Sequence, residues 1–465
     1  MSTSSQKSIS FSLPNLTEKE IAAISESCSN HKENSEILTE KVVKLEQDFC
    51  NFTQADASVH FPSAITALEA CLKILGIGPG DEVIISAYSN PADIMSIDYI
   101  GATPVLCDTM PGSFEMDYSS LPDLITKQTK AVIAFDFAGR MCDYDRLQNM
   151  LLMKKDLWNP SSSFQEAFER IPIIADGFAS LGASYHGKTS GSAADFTILA
   201  FNISQDLHPL GGAMLAWKCP KEKPALPSIF EQASSEPKIK PFDSDKFYKQ
   251  ASFLSDEAIH EYALTLEDKS SPLTTTVVQI ALAQNQLDRY RETLEKRKEL
   301  ILYYEKLLSD LPVSVFMHYG NWAESSGGLL AIRINNVSRK YRNRVIEHMQ
   351  QKNIATEIHY RPLPCYFTYQ KRGFKKEDYP NSLAMYANEL TLPLHAQLTK
   401  ADIDTIVEAL TESLQQANDE HIVEEETSKQ ASEKRLQAYI DRMDAENGWK
   451  APVAFKGYQD EELEI

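Results

Sequence analysis

IPIIADGFASLGASYHGKTSGSAADFTILAFNISQDLHPLGG, residues 171–212, decides how the chain is read. It opens on an apolar run, Ile171 to Ala175, closed by Asp176. Such a run reads as a buried strand with an acid at its carboxyl end, where open α/β sheets hold their ligands. A turn bearing glycines leads to a second apolar run, Phe196 to Phe201. The polar loop Asn202 to His208 follows, then Gly211-Gly212 and a third run, Ala213 to Trp217. Strand and acid, strand and polar loop, paired glycines and strand form the pattern.

That order resembles the centre of a fold-type I pyridoxal-phosphate (PLP) enzyme, and in detail the DegT-type sugar aminotransferases, which read I-E-D-A-A-Q…G…S-F-x-x-x-K-x-L…G-G here. The resemblance implies that Asp176 pairs with the pyridinium nitrogen and that a lysine in the second loop forms the Schiff base. Phe201 falls on the family's aromatic, and four residues further on Gln205 stands where the lysine is expected. An amide nitrogen is neither basic nor nucleophilic, so Gln205 forms no imine.

Other stretches extend the likeness. Gly76-Ile77-Gly78-Pro79-Gly80-Asp81-Glu82-Val83-Ile84-Ile85 is nearly verbatim family sequence and reads as a helix stop, a turn and a buried strand. Phe61 to Leu68 corresponds to the S-G-T-A-A-L phosphate loop, at a helix start whose free N–H groups suit an anion. Ser63 is retained there, while Ala64-Ile65 replaces Gly-Thr. Asn90 occupies the place of the aromatic that stacks on the pyridine ring, with Tyr88 two residues earlier as a substitute or as core. Ala179 stands for the Gln after the acid, and Ala200 for a Ser near the phosphate. Asn353 to Leu363 and Leu390 to His395 match the small-domain motifs G-I-x-x-x-x-H-Y-x-P-L and L-x-L-P-L-[HY]. His359 lies in the first, where the family's use is mainly structural.

The implied fold class is α/β: a fold-type I aminotransferase with a large domain on a mostly parallel central sheet and a smaller C-terminal α/β domain. Residues 1–34 are expected to form a tail and helix, 35–255 the large domain, and 256–312 linking helices. Residues 313–414 are the small domain and 415–465 an acidic extension. Thr399 to Leu414 reads as its closing helix, and Glu433 to Met443 as a separate amphipathic helix.

With 465 residues, 43% of them hydrophobic and 24% charged, the chain has the composition of a globular protein with room for two cores. A formal net charge of −20 argues against nucleic acid or an anionic membrane surface as partner. No apolar run is long enough to span a bilayer and no secretion signal is evident. Seven scattered Cys without a CxxC pair suit reduced thiols, hence a cytoplasmic protein, and no metal is expected.

Five altered cofactor positions point to a degenerate homologue that is not a self-sufficient transaminase. It is read as a structural, regulatory or ligand-binding pseudoenzyme subunit in amino-sugar, polysaccharide or secondary-metabolite synthesis. The alternative is an aminotransferase or dehydratase on a nucleotide sugar. There PLP or PMP would be held non-covalently by Asp176, with His208, three residues beyond Gln205, as base. Fold-type I sites lie at a dimer interface, so a homodimer or a heterodimer with an active paralogue is expected.

Overall fold

Ile173, Ile174, Ala175 and Asp176 form a strand with all four residues buried, as the apolar run requires. It sits inside a seven-stranded sheet made from β1 (Ala57–Phe61), β2 (Glu82–Ser86), β3 (Thr103–Cys107), β4 (Thr129–Phe135) and β5 (Ile173–Asp176). Two further strands complete it, β8 (Phe196–Ala200) and β9 (Ala213–Trp217), beyond the short hairpin β6 (Ser184–Tyr185) and β7 (Lys188–Thr189). The computed structural model describes residues 8–13, 16–29, 35–161, 165–201, 211–218 and 276–447. The order across the sheet is β1-β9-β8-β5-β4-β2-β3. β9 runs against both β1 and β8, and the remaining pairs are parallel. The expected α/β class with a mostly parallel sheet is what the chain adopts.

Near the amino end of the chain, α1 (Glu18–Ser29) and α2 (Ser35–Thr53) precede the sheet. Thr17 caps α1, with Glu20 accepting from the Thr17 N–H at 2.6 Å. Glu20 is fully buried and its carboxylate also takes Arg289, at 3.0 Å, from a helix far along the chain. That helix, Val277–Leu308, is one uninterrupted rod started by a Thr276–Gln279 capping box. It links the large domain to the small one.

In the small domain β10 (Val313–Val315), β12 (Leu330–Ile334) and β13 (Glu389–Leu392) form a three-stranded antiparallel sheet. β11 (Ala323–Glu324) leaves it to pair with the β6–β7 hairpin of the large domain. Ile9 adds to the small domain too, its N–H bonding the Asn353 carbonyl at 2.9 Å. The last helix does not stop near residue 414; it runs from Lys400 to Asn447. Its sequence contains neither Gly nor Pro, the two residues that end helices most strongly, and Gly448 follows it. No helix among the described residues is long and apolar enough to cross a membrane.

The two domains meet along backbone. Ser326 and Gly328 donate N–H bonds to the carbonyls of Gly139 and Ala138, both at 3.0 Å. Ala138 and Gly139 have φ of 55° and 85°, a left-handed turn that Gly tolerates best. A Cβ on Gly139 would lie 2.8 Å from both the Ala179 oxygen and the Gly328 nitrogen. Gly139→Ala is therefore expected to destabilise the protein by about 1–3 kcal/mol. Gly320→Ala, whose Cβ meets nothing within 4 Å, should stay within about 0.5 kcal/mol of the parent. Urea unfolding of both variants reads the difference.

Candidate functional site

β1, β2, β4, β5 and β8 all point the same way, so their carboxyl ends share one edge of the sheet. Ser63 follows β1, Tyr88 and Asn90 follow β2, Asp176 ends β5 and Ala200 ends β8. The edge thus gathers most of the residues singled out in the sequence. Gln205 and His208 lie outside the described residues.

Ser63 caps α3 (Ala64–Ile74), with its hydroxyl accepting from the Thr66 N–H at 3.2 Å and Thr66 Oγ1 accepting from the Ser63 N–H at 3.1 Å. This reciprocal box commits the hydroxyl to the helix. Of the first-turn N–H groups, those of Ala64 and Ile65 have no acceptor within the helix, as at any helix start, and such groups suit an anion. Ile65 keeps 36% of its surface exposed. Gln279, at the start of the linker helix, reaches the same loop by donating to the Pro62 carbonyl at 3.1 Å.

Asn90 is occupied in a similar way. It caps α4 (Pro91–Tyr99), its Oδ1 accepting from the Ala92 N–H at 3.0 Å. Tyr88, considered as the stacking ring, is fully buried in an aromatic cluster with Phe114 and Phe137. Its hydroxyl donates to the His359 carbonyl at 2.8 Å and accepts from the Tyr360 N–H at 2.9 Å. Both bonds cross from the large domain to the small one, so Tyr88 serves the join between domains. Ala179 lies on that join as well, its carbonyl accepting from the Ser326 hydroxyl. Ala200 is buried at the end of β8, opposite Ala213.

Asp176 is 5% exposed. Its Oδ1 accepts from the Phe178 N–H at 3.0 Å, and its Oδ2 has no donor when every carboxyl is written ionised. Burial pushes its pKa up to about 6, although the Phe178 N–H and a hydrogen bond from Asp93 pull it back. Asp93 sits three residues past the Asn90 cap, 4% exposed, where a helix start favours a negative charge. Burial and the neighbouring Asp176 charge outweigh that preference and hold it well above the usual carboxylate range. Asp136, just beyond β4, is driven to about 7 by burial, against bonds from the Cys142 N–H at 2.9 Å and the Tyr144 hydroxyl at 2.7 Å. Ser180 Oγ bonds its other oxygen at 2.8 Å.

Asp93 and Asp136 escaped the sequence reading. Asp136 closes an apolar strand just as Asp176 does, so the rule that found one would have found the other. Asp93 gave no signal, since an acid in a first helical turn reads as an ordinary complement to the helix dipole. His359 is buried with Nδ1 at 2.9 Å from Thr391 Oγ1 and its ring stacked on Phe11 at 5.6 Å. Burial lowers its pKa to about 3, so it stays neutral at ordinary pH.

A pyridoxal phosphate fits part of this edge. The unmatched Asp176 Oδ2 suits a ring N–H, and the first turn of α3 suits a phosphate. Among the described residues no cluster of metal-binding side chains occurs.

Comparison with known proteins follows the same line. The model of the DegT/DnrJ/EryC1/StrS aminotransferase family matches residues 14–411. The spore coat polysaccharide biosynthesis protein SpsC of Bacillus subtilis is 25% identical, over 88% of this chain and 97% of its own. GDP-perosamine synthase of Caulobacter vibrioides is 26% identical, over 80% and 90%. Among solved structures, "Putative sugar aminotransferase Spr1654 from Streptococcus pneumoniae, PLP-form" has 32% identity and a TM-score of 0.73, covering 88% of this chain and all of that one. Helicobacter pylori PseC, at 20% identity and a TM-score of 0.70, shares the fold.

The buried acids make stability depend on pH. Glu389, buried beneath His359 and Thr391, is pushed up to about 8 and Asp136 to about 7. Both pKa values exceed those of the unfolded chain, so the folded state holds the extra protons. Their stabilising contribution is complete below about pH 4 and is lost as pH rises through 7 and 8. Stability should fall between about pH 4.5 and 8, at up to roughly 1.4 kcal/mol per pH unit per proton, and level off above that range. Glu389→Gln should flatten that slope in urea titrations at each pH.

Proposed function

The chain belongs to the DegT/DnrJ/EryC1/StrS aminotransferase family, and we propose that it is a member that does not transaminate by itself. In this reading it is a structural, regulatory or ligand-binding subunit in amino-sugar or polysaccharide synthesis. It pairs with itself or with an active paralogue. The amide of Gln205 carries the reading, because no amine stands where the family's lysine would. Support also comes from Ser63 and Asn90, whose side chains are spent on helix caps. The sugar context rests on relatives such as GDP-perosamine synthase.

A second reading rests on Asp176 Oδ2, a buried acceptor without a donor. It gives the protein a non-covalently held PLP or PMP and a nucleotide-sugar substrate. Bound there, the group would supply an electron-withdrawing ring. The chain's part is then to orient that ring through Asp176, itself fixed by the Phe178 N–H. The first turn of α3 would hold an anion.

An absorbance scan over roughly 320–430 nm after adding PLP, with borohydride treatment of the mixture, separates the readings. The expected result is no covalent pyridoxyl-lysine and no amino transfer to a nucleotide-sugar ketone. Gln205→Lys should not restore transfer, because the phosphate loop and ring site are altered as well. A borohydride-fixed lysine adduct in the parent protein, or full transfer by Gln205→Lys, would overturn the proposal.

A further inference from the structure

Glu357 and Thr391 face each other across a backbone bridge. The Glu357 N–H donates to the Thr391 carbonyl at 3.1 Å, and the Thr391 N–H to the Glu357 carbonyl at 2.8 Å. His359 comes two residues after the first of these, and Glu389 two residues before the second, at the start of β13. Side chains of extended chain alternate between faces, so all four share one. They touch in series. Glu357 Oε2 is 3.4 Å from His359 Nε2, His359 Nδ1 is 2.9 Å from Thr391 Oγ1, and Thr391 Oγ1 is 2.6 Å from Glu389 Oε1. The row starts at a side chain 45% exposed and ends at a fully buried acid. Glu389 Oε2 accepts the His359 N–H at 3.0 Å, which fixes the direction of the other bonds. With Glu389 ionised, Oε1 accepts from the Thr391 hydroxyl, Thr391 accepts from His359 Nδ1–H, and Nε2 carries no proton. With a proton on Oε1 every bond reverses: Glu389 donates to Thr391, Thr391 donates to Nδ1, and the ring holds its proton on Nε2, toward Glu357.

We propose that Glu357, His359, Thr391 and Glu389 form a proton relay that connects solvent with the buried acid and records its charge in the tautomer of His359. A proton from solvent reaches Nε2 by way of the Glu357 carboxylate, and an N–H bond forms there. The Nδ1–H bond breaks as its proton crosses to Thr391 Oγ1, and the hydroxyl's own proton crosses to Glu389 Oε1. One proton is taken up, and the imidazole is neutral before and after. The relay needs no cofactor. Its buried end lies on the domain join, because Tyr88 holds the carbonyl of the same His359 whose N–H Glu389 accepts. Arg342, from the helix Arg339–Gln351, bonds the Glu389 carbonyl at 2.8 Å, with the Tyr386 ring 5.1 Å from its guanidinium. Arg333, opposite Glu389 on β12, bonds Asn388 Oδ1 at 3.0 Å. Burial outweighs the Arg342 charge and brings the exchange of the Glu389 proton to about pH 8. Tyr88 and Tyr360 also face the acid, and burial holds both protonated.

Nitrogen NMR of the full-length protein, labelled in its histidine rings, distinguishes the two tautomers, and His359→Gln assigns the His359 signals by their loss. Over roughly pH 6 to 9.5 the parent should exchange the Nε2–H form for the Nδ1–H form, with its midpoint at about 8 and no charged imidazolium. Glu389→Gln should hold the Nε2–H form at every pH, because its oxygen must face the His359 N–H and its amide donors then turn to Thr391. Thr391→Val interrupts the row, so the tautomer should cease to follow pH, and Thr391→Ser should restore the response. A parent tautomer that stays constant over the range overturns the relay, as does a Thr391→Val protein that switches as the parent does. Should Thr391→Val fail to fold, the titrations of the parent and of Thr391→Ser decide.

Discussion

β5 lies between β4 and β8, so the carboxyl of Asp176 leaves the strand into a place that water does not reach. Desolvation at this edge is the constraint on which the site depends. It sets the charge that Asp93, Asp136 and Asp176 can carry between them. Asp136 lives with its burial by filling both oxygens with donors. Asp176 does so only in part, and a protein that leaves one buried carboxyl oxygen short of a donor keeps a standing affinity for something positive.

The small domain takes part in that exclusion. Tyr360 reaches the acids from the far side of the join, and its neighbour His359 is fixed by Thr391 and Phe11. The backbone bonds of Ser326 and Gly328 to Gly139 and Ala138 hold the join close. Tyr88 closes it with two bonds through one hydroxyl, worth about 0.5–1.5 kcal/mol each. A residue read as a candidate for stacking on a ligand thus does its work between domains, because its ring has aromatic neighbours and its oxygen has two backbone partners.

Much of the fold was legible because its signals are local. The run IPIIAD, the turn GPGD and the motif around His359 each describe a few adjacent residues whose burial or turn geometry is dictated by their own chemistry. The site was legible only where an acid ends a strand. Ser63 and Asn90 could be located but not their partners, since the same atoms suit either a cap or a ligand. Asp93 was invisible because its meaning comes from Asp176, which is distant in sequence and adjacent only after the sheet forms. The helix beyond residue 414 was cut short in the sequence reading because the family pattern ends there, whereas helix formation continues until a residue opposes it.

Ile9 bonds the backbone of Asn353 and Ala355, and Phe11 stacks on His359. On a ribosome these partners emerge about 340 residues later, a delay of roughly 20–70 s at ordinary rates of synthesis. Throughout that interval the Ile9 backbone bonds and the Phe11–His359 stack cannot form. The nascent chain therefore carries this apolar segment without its small-domain partners until nearly the whole small domain has been made, and this favours a chaperone's grip in the meantime.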